Sequence, residues 1–340
     1  MKVLYFPPWG DGDYQRFLYD SLSKIGVDSV EAKNAKFFPL FAFRRQLNDA
    51  DIFHIHWIHT LYKGGSLFMP LFSLLFLLQI AYLRRSDTPI VWTVHNLSTH
   101  DTLYPRLDRF LRMIAAKTIC DKIIVHCKFA EGEVMNSYNL SDDKTTVIPH
   151  GNFYRYPNRK KSLDIPDQHY CYLHFGSIRP YKGTLELIKE FDSIADERDR
   201  LLIMGRIGNE SYVEKVKNVA SSNEKVMTNF GYVPNEDFNS IANDVDAVVL
   251  AYTDILTSGV AHLALSFQLP VVAPRTGCLP ETIPEEAGVL YESGGLADAL
   301  DDIKSLEPIQ VANAADAAME KKDWKNIAKS TNSLYKDLKN

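Results

Sequence analysis

The sequence predicts an α/β protein of two domains, each a doubly wound parallel sheet with helices on both faces. Three observations predict it. Short runs rich in Val, Ile and Leu alternate with longer helical patterns, and continuous apolar strands between helices belong to parallel sheets buried on both sides. A charged segment, NRKKSLDIPDQ at 158–168, has one proline and no apolar periodicity, and it divides the strand candidates five and five. The 340 residues also exceed the size at which a single core keeps growing.

The first strand, 3–6, begins almost at once. It is followed by strands at 52–56, 90–94, 122–126 and 146–148, each a short apolar run bounded by turn residues. After the linker come 170–175, 200–204, 226–230, 247–250 and 271–273. Helical periodicity occupies 14–25, 106–118, 130–138 and 184–194. In such sheets ligands sit at the carboxyl ends of strands, where loops feed helix N-termini. The residues to weigh therefore follow each strand.

Composition narrows the class. A net charge of −5 argues against a nucleic-acid binder held by a general phosphate field, so any phosphate recognition is local. The four cysteines have no CxxC spacing and no matching histidine ladder, so no zinc site is expected. The opening MKVLYF lacks the basic, apolar and small-residue regions of a signal peptide, which predicts a cytoplasmic location. One segment, LFMPLFSLLFLLQIAYL at 67–83, carries no charge and closes on Arg84 and Arg85. It is short for a span and holds Pro70, Ser73 and Gln79. Two readings stand: a buried core helix, or a helix lying in a membrane interface from Leu67 to Arg85.

In the first half, Gly10, Asp11, Gly12 and Asp13 follow the first strand. The aspartates could cap the next helix, or the glycine pair could open backbone N–H groups to a substrate. No GxGxxG fingerprint is present. His54, His56 and His59 lack the third ligand spacing of a metal site. His95, Asn96, His100 and Asp101 gather after the third strand, where an α/β protein keeps polar chemistry, although Asp101 could simply cap a turn. His150, in the rigid turn PHG, is expected at an interdomain cleft.

In the second half, FGSIRPYKG places Gly176, Arg179 and Lys182 after a strand, and GRIGN places Arg206 after the next. Thr257, Ser258 and Gly259 precede an apolar helix, leaving N–H groups free for an anion. Arg179 offers a planar fork for phosphate and Lys182 a compact charge, so the loop reads as a diphosphate clamp.

These stretches, with GYVPNEDFNSIANDVDAVVLAY and SFQLPVVAPRTGCLPETIPEEAGVLYE, resemble the donor half of GT-B glycosyltransferases of the family-4 type. GDGDYQRFLYDSL, FHIHWIH, WTVHNL and IPHGNF resemble a subgroup acting on polysaccharide or glycolipid precursors, and DWKNIAKSTNSLYKDL resembles the family's closing helix. The resemblance implies two Rossmann-like domains facing a cleft, the acceptor on 1–157 with a returning helix at about 323–340, and the nucleotide sugar on 158–322. It assigns Arg179 and Lys182 to the diphosphate, Ser258 and Gly259 to the phosphate-binding helix start, and Glu281 to the glutamate of the glycine–proline–glutamate loop. In one respect the chain departs. The paired glutamates of retaining members fall, counting back from Pro270, on Leu263 and Ile255, so retention of configuration is not inherited.

The expected function is metal-independent transfer of a sugar from a UDP- or GDP-sugar to a saccharide or lipid-linked acceptor, with no cofactor beyond that co-substrate. Arg179, Lys182 and the helix dipole near Ser258 would neutralise the leaving diphosphate. If configuration inverts, Asp101 or His100 is the expected base, with Asp11 and Asp13 behind them, and His95 contacts sugar. Two rivals share the fold: a nucleotide-sugar epimerase, and a non-catalytic partner of another glycosyltransferase.

Overall fold

The computed structural model describes residues 1–8, 13–32, 42–62, 67–98, 102–153 and 169–339. The chain divides into two compact units, Met1–Gly151 with Lys322–Asn340, and Asn152–Lys321.

The first unit is built on six parallel strands: β1 (Lys2–Phe6), β2 (Asp28–Glu31), β3 (Ile52–Ile55), β4 (Ile90–Thr93), β5 (Lys122–Val125) and β6 (Thr145–Val147). Their order is β2-β1-β3-β4-β5-β6. β3 and β4 are buried along their whole length, as continuous apolar runs demand. Around the sheet lie helices α1 (Asp13–Ser23), α2 (Arg44–Asn48), α3 (Met69–Leu83), α4 (Pro105–Thr118) and α5 (Lys128–Tyr138). The closing helix α13 (Trp324–Lys339) returns to this unit. It buries Trp324, Ile327 and Tyr335, with Trp324 against Phe17 of α1 and the Tyr335 hydroxyl 3.2 Å from that of Tyr5.

The second unit repeats the plan with β7 (Tyr170–Phe175), β8 (Asp199–Gly205), β9 (Val226–Phe230), β10 (Ala247–Val249), β11 (Val271–Pro274) and β12 (Gly288–Tyr291), in the order β12-β11-β10-β7-β8-β9. Its helices are α6 (Thr184–Ile194), α7 (Glu210–Ala220), α8 (Asn235–Ile241), α9 (Gly259–Ser266), α10 (Leu279–Thr282), α11 (Leu296–Asp302) and α12 (Pro308–Glu320). One apolar cluster, with Phe175, Phe238 and Leu263, covers one face of the sheet. Another, with Tyr172, Phe191 and Val249, covers the other.

The structure adds β2 and β12 to the ten strands expected from sequence, and both are sheet edges. Neither forms a buried run: β2 has no buried residue, and in β12 only Gly288 is buried. An edge strand packs on fewer neighbours, so its sequence carries no continuous apolar signal. The order also fixes where the crevices lie. β1 has β2 on one side and β3 on the other, and β7 has β8 and β10, so each sheet changes winding direction beside its first strand.

Candidate functional site

In the second unit, the loops after β7, β8 and β10 converge at that switch point. The loops after β7 and β8 are zipped together by a bridge between Ile178 and Ile207, with Ile178 N–H donating to the Arg206 carbonyl at 2.9 Å. Gly205, at φ +143°, lies so close beneath Gly176 that an added Cβ would fall 1.7 Å from its carbonyl oxygen. Gly208 lies against the Ser177 hydroxyl and the Arg179 side chain, where a Cβ would come within 2.3 to 2.7 Å of them. Arg179 is half-buried there, while Arg206 is exposed.

Lys182 is only 8% exposed. Its ammonium sits 4.0 Å from the Tyr252 ring centroid, a cation–π contact, and the Tyr252 hydroxyl is 3.0 Å from Ser258 Oγ. Ser258 caps α9 by accepting the Ala261 N–H, and Gly259 is the helix's first residue. The hydroxyls of Ser177 and Thr257 are buried without a hydrogen-bond partner. Buried hydroxyls are normally satisfied, so two orphans, one on the loop with Arg179 and Lys182 and one at the start of α9, mark a polar site. Glu281 lies on the short α10, exposed. Leu263 belongs to the apolar core and Ile255 packs against it, so neither place of the family's glutamates carries a carboxylate.

In the first unit, His56, His95, His126 and His150 follow β3, β4, β5 and β6, and neighbouring strands bring their rings together. Consecutive centroids are 5.6, 5.2 and 5.5 Å apart. The Tyr14 ring contacts all four, and Trp57 stacks on His95 at 5.0 Å. His54 stacks on His56 and bonds Tyr335 and Thr93. Burial, then the proximity of other imidazoles, holds His56 and His95 well below the usual histidine value. It takes His126 to about 4 and His54 and His150 to about 3. Among the described residues, no three His, Cys, Asp or Glu side chains are arranged to hold a metal ion.

The loop after His95 is pinned from behind. Arg112 donates to the Asn96 carbonyl while paired with buried Asp108, and the Tyr138 hydroxyl donates to the Leu97 carbonyl. Asp13 begins α1 and pairs with Arg16 at 2.6 Å. His150 bonds the Gly151 carbonyl through Nδ1. Gly10, Asp11, Gly12, His100 and Asp101 lie outside the described residues. His126 is absent from the residues singled out in sequence. Its signal was positional: it is the histidine ending IIVH, in step with those ending FHIH, WTVH and IPH.

Helix α3 settles neither sequence reading alone. Met69, Phe72, Phe76, Ile80 and Leu83 face the core, while Leu67, Phe68, Leu71, Leu74 and Leu78 are 59–65% exposed. No helix among the described residues is long and apolar enough to cross a membrane.

Comparison with known proteins agrees with this geometry. The family described as glycosyltransferase family 4 matches residues 4–151, and that described as glycosyl transferases group 1 matches 170–306. A GDP-mannose:glycolipid 4-beta-D-mannosyltransferase of Xanthomonas campestris pv. campestris is 27% identical over 325 residues, covering 92% of this chain and 85% of the relative. Among solved structures, a sucrose-phosphate synthase from Thermosynechococcus elongatus superposes with a TM-score of 0.78 at 17% identity, covering 99% of this chain and 98% of that one. Anabaena HepE, in complex with UDP and glucose, superposes at 0.74 and 14% identity, covering 99% of this chain and all of that one. With a family-4 half and a group-1 half in order on two doubly wound sheets, the chain is a nucleotide-sugar glycosyltransferase of the GT-B fold.

Proposed function

We propose that this glycosyltransferase moves mannose from GDP-mannose to a lipid-linked saccharide with inversion of configuration, at the cytoplasmic face of a membrane. The observation that carries the reading is the similarity to the glycolipid β-mannosyltransferase along nearly the whole chain. Leu263 and Ile255, apolar where retaining members carry glutamates, support inversion. GDP-mannose is an α-glycoside, so a β-product means a single in-line displacement. That displacement needs an acceptor for the hydroxyl proton and charge stabilisation for the departing diphosphate.

The second task falls to Arg179, Lys182 and Arg206, with the start of α9 at Ser258 and Gly259 and the Thr257 hydroxyl. In this reading no cofactor or divalent metal is required, because cationic side chains and backbone N–H groups meet the leaving charge. For the first task, Asp101 and His100 stand as sequence candidates, with Asp11 and Asp13 behind them and His95 toward sugar. Gly10, Gly12 and His150 complete the acceptor side, and Glu281 the donor side. The apolar outer face of α3, ending in exposed Arg84 and Arg85, fits an anionic lipid surface.

The test is a thermal-shift series with GDP-mannose, GDP and UDP-sugars, followed by transfer to a lipid-linked oligosaccharide and assignment of the anomeric configuration by NMR. GDP-mannose should raise Tm, since a ligand bound only by the native state stabilises it by mass action. A β-linked product should then form. Stabilisation by UDP-sugars alone, an α-linked product, or release of a free epimerised sugar without acceptor would each overturn the reading.

A further inference from the structure

The row of histidines has a direction. His126 Nδ1 lies 3.0 Å from the Ile148 carbonyl, and a carbonyl only accepts, so that nitrogen carries the proton. In the neutral ring Nε2 is then a lone pair, facing His95 Nδ1 at 3.4 Å, which must donate. His95 Nε2 is therefore a lone pair too, and it accepts from His56 Nδ1 at 3.3 Å. The assignment runs back from one carbonyl through three rings and ends on His56 Nε2. That atom is buried and has no hydrogen-bond partner.

An unsatisfied buried nitrogen is costly and calls for an explanation. His56 follows β3 at the switch point beside β1, where this sheet type binds ligands. The rings around it are Tyr5, Tyr14, Tyr19, His54, Trp57 and His95. Of these, Tyr14, Trp57 and His95 are themselves half-exposed, so an acceptor hydroxyl comes within hydrogen-bond reach of the free nitrogen when these surface rings part.

We propose that His56, His95 and His126 form a proton chain, whose entry atom, His56 Nε2, takes the proton of the attacking acceptor hydroxyl. This rests on the inverting-transfer reading above. In the step, the acceptor O–H bond breaks and its proton goes to His56 Nε2. The oxygen forms the new bond to the sugar's anomeric carbon, whose bond to the diphosphate oxygen breaks, the electron pair leaving with the nucleoside diphosphate. His56 Nδ1–H passes to His95 Nε2, and His95 Nδ1–H passes to His126 Nε2. The positive charge rests on His126, one of whose N–H groups is held by Ile148, and it leaves by the reverse path after product departs. Burial keeps the three rings neutral, so their lone pairs are open before the step, and it disfavours the imidazolium, so the charge is held only until product departs. The groups facing them are Tyr5, Tyr14, Tyr19, His54 and His150, with Lys322 acting on His150. His56 is the catalytic residue in this scheme, and His95 and His126 are positioning residues.

Two experiments test it. In the ¹⁵N-histidine-labelled wild-type protein, His56, His95 and His126 should all be Nδ1–H tautomers, the minor form of free neutral histidine. An Nε2–H signal from any of the three overturns the chain without reference to activity. In transfer assays, His56→Gln should lower kcat by about 10²-fold or more while the GDP-mannose thermal shift persists. His126→Phe and His126→Gln should both lower kcat with little change in KM, because neither side chain can take the proton, although the Gln amide can still accept from His95 and donate to Ile148. Activity restored in His126→Gln but not in His126→Phe would mean that His126 only orients His95, and would overturn the proton chain. Full activity in His56→Gln, with activity abolished by Asp101→Asn or His100→Ala, would place the base elsewhere. If the wild type transfers nothing from GDP-mannose while all three tautomers are Nδ1–H, the donor reading fails and the chain stands.

Discussion

At the scale of single residues, Arg179 and Lys182 read alike in sequence but differ in the fold. Arg179 is half-buried beside Gly208, whereas Lys182 is buried over Tyr252, whose hydroxyl meets the Ser258 cap. Loss of either cation should cost about 2–4 kcal/mol of transition-state stabilisation, the scale of one preorganised electrostatic donor. The fold should respond differently. Arg179→Ala is expected to keep the wild-type Tm while kcat/KM falls. Lys182→Ala should lower Tm as well, because it removes a buried stem and a cation–π contact, and Lys182→Met should recover stability without activity. Steady-state kinetics beside thermal melts separates the two. Wild-type turnover in Arg179→Ala would remove that side chain from the diphosphate site.

At the scale of elements, α3 shows what a single sequence can and cannot carry. An unbroken apolar run has no preferred face, so periodicity cannot say which residues turn inward. The fold decides: Phe76 is fully buried and Leu74 is exposed, although they lie two residues apart. Aspartate at Leu71, Leu74 and Leu78 should therefore abolish sedimentation with anionic liposomes and leave Tm nearly unchanged. Phe76→Asp should unfold the protein by burying a charge in an apolar core. Retained sedimentation in the triple variant would exclude this face as the contact. The same distinction explains what was legible elsewhere. Strands such as β4, β5 and β8 announced themselves through buried apolar runs, while β2, with no buried residue, and β12, with only Gly288 buried, did not. The donor loops were legible because glycine, arginine and small hydroxyls after a strand have few other uses. His126 was not, because a lone histidine ending a strand is unremarkable until parallel neighbours set three more beside it.

At the scale of the whole molecule, that row of histidines makes the two units unequal toward acid. His54, His56, His126 and His150 are buried in the first unit with half-buried His95 among them, each held below the ordinary value by desolvation first. In the second unit His174 is held at about 4 by burial, and no comparable row of imidazoles is seen among the described residues. Each depressed histidine is neutral in both states above pH 6.5, so it adds no pH dependence there. As the pH falls below 6.5 the unfolded chain takes up the proton and the folded one does not, so stability is lost toward the folded value. The slope is about 1.4 kcal/mol per pH unit for each group once the unfolded form is fully protonated, or about 7 for five. Against a typical domain stability of about 5–15 kcal/mol, the first unit should unfold near pH 5, about a unit or more above the second. The chain supplies its own probe, since Trp57, Trp92 and Trp324 belong to the first unit and residues 152–321 of the second contain no tryptophan. Tryptophan fluorescence should therefore report an acid transition while much of the far-UV circular dichroism survives, and His126→Gln, which cannot titrate, should move it to lower pH. A single transition seen equally by both probes, or none down to pH 4, would show that the imidazole row does not govern acid stability.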